Sequence, residues 1–226
     1  MPGFLWRGKK VKNKKYMSNK ISKGYEIEPL KLDRDLEGIS LKSVREHKKL
    51  YDVYVKKTNE IQKKINEADK SAANAVYSEI GELKRQETFA VNGMKLHEAY
   101  FPLLGGDGKP KGKILEMIEK DFGSYEAWKE DFTATGMSAR GWAVLAYEWK
   151  DNRLHNYGMD AQNVGAIWDA EPIIAMDMYE HAFFMDHGTD KKAYVEAFFK
   201  TLNWDYVDSF VEKHNLYKRH GGVNQA

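Results

Sequence analysis

The chain has 226 residues, no cysteine and a formal charge of +2, with 42% hydrophobic and 13% aromatic residues. That apolar content supports a folded core rather than a disordered chain, and no run approaches the ~18–20 apolar residues of a membrane span. Without cysteine there are no disulfides, thiolate ligands or cysteine nucleophiles, so any metal has to be held by His, Asp or Glu, and a reducing, cytoplasmic setting fits.

The charge is unevenly spread. Residues 1–25 hold eight basic side chains, from Arg7 to Lys23, and no acid; the remainder carries 28 basic against 34 acidic residues, a net of −6. With little apolar periodicity, residues 1–28 read as a basic, flexible tail, solvated rather than committed to nucleic acid or a membrane surface. No charged start leads into an apolar stretch with a small-residue cleavage site, so no secretory signal is expected.

The first element begins at Ser40, a good N-cap, followed by Leu41, Val44, Leu50, Tyr51, Tyr54, Val55, Ile61 and Ile65 at near-helical spacing. A second long helix is predicted from about Ser71 to Leu104, with Val76, Ile80, Leu83, Phe89, Leu96 and Tyr100 on its apolar positions. Gly105-Gly-Asp-Gly-Lys-Pro110 ends it in a loop. Two long helices in succession predict an antiparallel helical hairpin over residues 29–108.

Residues 109–226 change character and read as an α/β domain. Short helices are expected at about 112–121 and 124–137. Trp142–Trp149, a turn at Asp151-Asn152 and Arg153–Tyr157 read as a β-hairpin, and Pro172–Met176 as a third, buried strand. Helical spacing returns at Lys192–Thr201 and Trp204–Leu216. The fold class is α+β.

Seven histidines stand at 47, 97, 155, 181, 187, 214 and 220. His47 and His97 each fall on a long helix beside aromatic residues, Tyr51 and Tyr54 for the first and Tyr100 and Phe101 for the second. Each fits either a core histidine with one hydrogen bond or a metal ligand in a dry, aromatic-lined cavity. Asp177 and His181 lie four apart directly after the third strand, a spacing that fits a surface pair as well as a site. Other chemistries lack their motifs: there is no G-x-S-x-G, P-loop, strand-borne G-x-G-x-x-G, H-E-x-x-H or paired E-x-x-H.

Four segments, in order, resemble the iron/manganese superoxide dismutases. Asp177-Met-Tyr-Glu-His-Ala-Phe-Phe184 resembles the signature D-x-W-E-H-A-Y-Y, with Tyr179 in the usual Trp position. Leu96-His-Glu-Ala-Tyr-Phe101 is similar to N-H-x-x-Y-W, and Tyr194–Phe199 leading into Leu202-Asn-Trp-Asp205 to Y-V-x-A-F/W followed by V-N-W. Phe122-Gly-Ser-Tyr-Glu-Ala-Trp128 with Gly141-Trp142 is similar to F-G-S-F-x-x-F/W and G-W. The likeness covers about residues 36–215.

The resemblance implies a helical hairpin carrying two His ligands and an α/β domain whose three-stranded antiparallel sheet carries an Asp and a third His. By position the metal ligands are His47, His97, Asp177 and His181. His47 precedes Tyr54-Val55 by seven residues where the family has eight, and is the sole histidine in that region. Tyr54 takes the place of the tyrosine over the metal, with Tyr51 as the fallback. The family often pairs a first-helix His with the last Tyr of the signature across a dimer; Leu50 and Phe184 replace both, while Glu180, which meets the partner subunit's ligand His, is kept. A homodimer or dimer of dimers is therefore implied.

Gly93 occupies the place where typical iron forms carry a Gln, and Gln162 aligns with the hairpin Gln of manganese forms. One manganese or iron ion per subunit is expected, manganese favoured, acting on superoxide. Lys191 and Lys192 are candidates for drawing in that anion. A metal-holding homologue with little activity and a zinc hydrolase are the competing readings.

Overall fold

The computed structural model describes residues 24–220. The basic residues Arg7 to Lys23, and with them most of the expected tail, lie outside the described residues.

Helix α1 (Leu41–Glu67) starts where Ser40 accepts the Ser43 N–H at 3.1 Å. Its buried stripe runs through Val44, His47, Tyr51, Val55, Thr58 and Ile65, spaced three, four or seven apart, and faces α2 (Glu79–Tyr100). Helix α2 begins eight residues later than its apolar pattern suggests. Asp69 caps a single 3₁₀ turn at Lys70–Ala72, and the Asn74 side chain accepts the N–H groups of Val76 and Tyr77 at 3.1 and 2.9 Å. These local bonds compete with helix formation. Ser78 is the actual cap, with Glu79 and Glu82 in the favourable first turn, and Val76 is 93% exposed.

Helices α3 (Gly112–Phe122) and α4 (Tyr125–Ser138) fall where expected. Strands β1 (Trp142–Glu148), β2 (Arg153–Met159) and β3 (Ala170–Asp177) form one antiparallel sheet in the order β2-β1-β3. Its register places Trp142 opposite both Met159 and Asp177, so the start of β1 and the ends of β2 and β3 meet at one edge. The residues just beyond those two strands, Gln162 among them, emerge there, and α2 packs beside β3.

The chain continues through a 3₁₀ turn (Glu180–Ala182), then α5 (Phe184–His187) and α6 (Lys191–Thr201). The last expected helix is two: α7 (Trp204–Lys213) and α8 (Leu216–His220), divided at Asn215, whose φ of 56° is a left-handed conformation that Asn tolerates better than most residues. Trp128, Phe132, Phe199 and Trp204 interlock with ring centroids 5.4–6.1 Å apart and anchor α4, α6 and α7. Among the described residues, no helix is long and apolar enough to cross a membrane.

Candidate metal centre

Four elements converge on one carboxylate. Asp177 ends β3 and is fully buried; its Oδ1 accepts the Tyr179 N–H at 2.9 Å, which turns Oδ2 toward three imidazoles. His47 Nε2 and His181 Nε2 each lie 3.1 Å from Oδ2, and His97 Nε2 lies 3.7 Å away. One ligand-type atom from each of the four residues lies within 4.8 Å of the others. The set expected from sequence is thus brought together, His47 included. Helix α1 is unbroken through this stretch, and at ~100° per residue a seven-residue step comes within ~20° of two full turns, keeping His47 and Tyr54 on one face.

The surroundings set the imidazole tautomer. His97 Nδ1 donates to the Gly93 carbonyl at 2.5 Å, leaving Nε2 as a bare lone pair that is buried and has no hydrogen-bond partner. An orphaned acceptor of this kind in a core calls for a cation or a donor. Tyr100 and Phe101 stand 5.1 and 5.2 Å from the His47 ring, Trp142 is 5.2 Å from His97, and Tyr179 stacks on His181 at 5.3 Å. Burial pushes the His47 imidazole down, and burial together with the neighbouring His47 pushes His97 down to about 3. Burial alone would raise the Asp177 carboxyl, but hydrogen bonds from His181 and His47 outweigh it and hold it well below the usual carboxylate range. Two imidazoles held neutral by burial, with the His181 ring and an ionised carboxylate beside them, are the donor set that a divalent or trivalent redox ion takes, and the residues fit one.

These directions carry a prediction for the metal-free protein. His47 and His97 bind protons less readily folded than unfolded, so between the unfolded histidine value of ~6.5 and the depressed folded value the unfolded chain holds more protons. Stability is expected to fall as pH drops below ~6.5, by about 1.4 kcal/mol per pH unit for each histidine kept neutral. Asp177 works in the same direction at lower pH, its contribution being lost as pH falls through its depressed folded value. Denaturant titrations of metal-free protein at pH 7.5, 6 and 5 measure the slope.

Two further residues complete the cavity. Tyr54 is half-buried, its ring 5.4 Å from His97 and 6.0 Å from Phe89; burial pushes its phenol up, opposed by a hydrogen bond from the Gln162 side chain. The other candidate, Tyr51, is engaged elsewhere: its hydroxyl accepts the Glu28 N–H at 2.9 Å and donates to Glu98 at 3.0 Å. Gln162 is 1% exposed, with its backbone carbonyl accepting from Asn92 Nδ2 at 2.8 Å and its Oε1 without a partner. A Cβ at Gly93 would lie 2.2 Å from Gln162 Oε1 and 2.9 Å from Tyr54 Cδ1, so this glycine is required by close approach rather than by backbone angle.

Lys191 donates to the Ala139 carbonyl at 2.9 Å and, with Arg140, Tyr179, Glu180 and His181, lines a cleft of about 520 Å³; Lys192 is exposed. The remaining described histidines are satisfied apart from the site: His187 meets the Gly38 carbonyl, His220 the Asp121 carboxylate, and His214 stacks on Phe210. Glu148, Asp151 and His155 cluster on the β1–β2 turn, but backbone N–H groups of residues 150, 151 and 153 already occupy the two carboxylates. Asn92, which holds the Gln162 segment, had no signal in the sequence beyond its place beside Gly93.

Residues 110–210 match the family model described as iron/manganese superoxide dismutases, C-terminal domain. The chain is 42% identical over 186 residues to "Superoxide dismutase [Fe]" of Aquifex pyrophilus, covering 80% of this chain and 87% of that protein. It is 38% identical to "Superoxide dismutase [Fe]" of Cupriavidus metallidurans, over 80% of this chain and 92% of the relative. It is 35% identical to "Superoxide dismutase [Mn] 2" of Haloferax volcanii, with the same two coverages.

Proposed function

Because the chain belongs to the iron/manganese superoxide dismutases, we propose that it disproportionates superoxide to dioxygen and hydrogen peroxide at one iron or manganese ion held by His47, His97, Asp177 and His181. The observation that carries this reading is the His₃Asp cluster, buried at His47, His97 and Asp177, with an unpartnered His97 Nε2. When bound, the ion supplies the one-electron exchange by alternating between trivalent and divalent states. Three neutral nitrogens and one anionic oxygen offer the charge that suits both states. The aromatic wall excludes water and keeps those charges weakly screened. Tyr54, whose phenol is pushed up by burial, keeps its proton on Oη and holds it beside Gln162 and His97. Lys191 presents positive charge along the cleft that leads to His181, where a small anion benefits from it.

Manganese is the ion we favour, because Gly93 makes room for an amide that arrives from the sheet side. Reconstituting metal-free protein with either ion and assaying turnover per bound metal tests both levels. Turnover with manganese above that with iron is expected. The reverse order would overturn the metal preference, and a loaded but inert protein would favour the structural homologue instead.

We also propose a homodimer built around Glu180, with a dimer of dimers as its larger form. Leu50, Phe184 and Met185 are 38–54% exposed, and α1 and α5 flank the turn that carries Glu180. Such side chains on neighbouring elements suit a second copy. Phe184→Glu is expected to shift the sedimentation coefficient to that of a monomer while the helical circular dichroism is retained. A compartment free of oxidising conditions, the cytoplasm, suits a chain without cysteine.

A further inference from the structure

The described chain begins beside an open apolar groove. Tyr25 is clasped by α1, its N–H donating to Asn59 Oδ1 at 2.8 Å and its carbonyl accepting from Asn59 Nδ2 at 2.9 Å. With Glu87, Val91, Asn92, Ile167 and Trp168 it lines a cavity of about 520 Å³. A second cavity of about 210 Å³, bordered by Leu96, Tyr157 and Pro172, shares Asn92, Ala166 and Ile167 with the first. The two form one groove between α2 and the loop from β2 to β3. That loop is tied at both ends: Asn163 Nδ2 donates to Thr88 Oγ1 at 2.9 Å, and the Trp149 N–H to the Asp169 carbonyl at 3.0 Å. Trp168 is therefore displayed rather than frayed, 95% exposed, with Ile167 46% and Tyr25 42% exposed beside it. Large apolar side chains gathered along a groove of this size mark a docking site.

We propose that this groove seats the start of the same chain, with Phe4-Leu5-Trp6 as the anchor. Position, composition and charge single out this occupant. Residues 1–23 join the described fold at Gly24, next to the groove wall, and Trp6 lies 18 positions before Gly24. A flexible link of that length has a root-mean-square span of about 21–25 Å. It holds the anchor near the groove at an effective concentration on the order of millimolar. Phe4-Leu5-Trp6 is the one run of three large apolar residues in the segment, and buried aromatic anchors carry most of the energy of an interface. Arg7, Lys9 and Lys10 follow the anchor, while Glu87 lines the groove and Asp169 and Glu171 alternate with its lining residues Trp168, Ala170 and Pro172.

The chain has no cysteine, so an introduced pair reports the contact cleanly. The probe is the full-length chain carrying Gly8→Cys and Ala166→Cys, oxidised at micromolar protein, with and without Phe4→Ser, Leu5→Ser and Trp6→Ser. An intrachain disulfide is expected, at a rate independent of protein concentration. It should form about ten-fold faster than in the serine-substituted chain, the level that tethering gives a weak anchor. In parallel, the amides of residues 166–168 in the cysteine-free chain should exchange with solvent about ten-fold more slowly than in its serine-substituted counterpart. Equal disulfide rates or equal exchange in the two backgrounds would overturn the proposal. So would a disulfide between chains whose rate rises with protein concentration, which would give the groove to a second copy. If the cysteine pair prevents folding, the exchange comparison decides alone, since its substitutions all lie before the clasp at Tyr25.

Discussion

Asp177→Ala is expected to empty the metal centre and abolish dismutation. The carboxylate is the only anion of the cluster, and all three imidazoles meet its Oδ2 within 3.7 Å. Removing a hydrogen-bond partner of a ligand already costs about 10–100-fold in metal affinity, and removing a ligand that also supplies the negative charge costs more. The Tyr179 N–H also loses its acceptor, which destabilises the fold by about 1–3 kcal/mol. Asp177→Asn separates the two effects, since its amide oxygen still accepts that N–H while the charge is gone. Elemental analysis, turnover and thermal unfolding of both variants provide the check: metal content should fall to background in each, with the larger drop in stability for alanine. Full occupancy with full activity in either would remove Asp177 from the ligand set.

Gln162→Ala is expected to leave the ion bound and reduce turnover by about 10–100-fold, the range typical of residues that tune a site without ligating. Its companion is Gly93→Ala. A methyl group there would sit 2.2 Å from Gln162 Oε1, so the amide has to leave its place or α2 has to shift. Gly93→Ala alone should therefore lose turnover to a similar degree and cost about 1–3 kcal/mol of stability, as overpacked cores do. In the double variant the shortened side chain at 162 removes the tighter clash and leaves the 2.9 Å approach to Tyr54 Cδ1, so stability should recover in part while turnover stays low. Denaturant unfolding, with rates expressed per metal ion, separates these outcomes. A Gly93→Ala enzyme with undiminished turnover would show that the amide does not act from this position.

The division between what was readable from sequence and what was not follows the range of the interactions. Helix α1, both short helices, all three strands and the Ser40 cap were legible because apolar period and capping depend on neighbours a few residues apart. The start of α2 was misread because Val76 continues the apolar pattern, while Asn74 and Ser78 satisfy the local backbone in another way. The break at Asn215 was missed for a similar reason: one left-handed residue interrupts a spacing that is apolar on either side.

The proposed ligand set came from the family resemblance, whereas composition and spacing left each histidine open between core and metal. By itself the sequence determined the α+β class, the absence of thiolate chemistry and the presence of the Asp177-x-x-x-His181 pair, all properties of short segments or of the whole composition. Only the tertiary structure decided that His47 and His97 meet that pair, that Tyr54 rather than Tyr51 stands beside Gln162, and that Gly93 clears its space. Those facts depend on side chains 70 to 130 residues apart. Their meeting is set by how the helical hairpin packs on one edge of the sheet, where β1 begins and β2 and β3 end, and no local pattern encodes that contact.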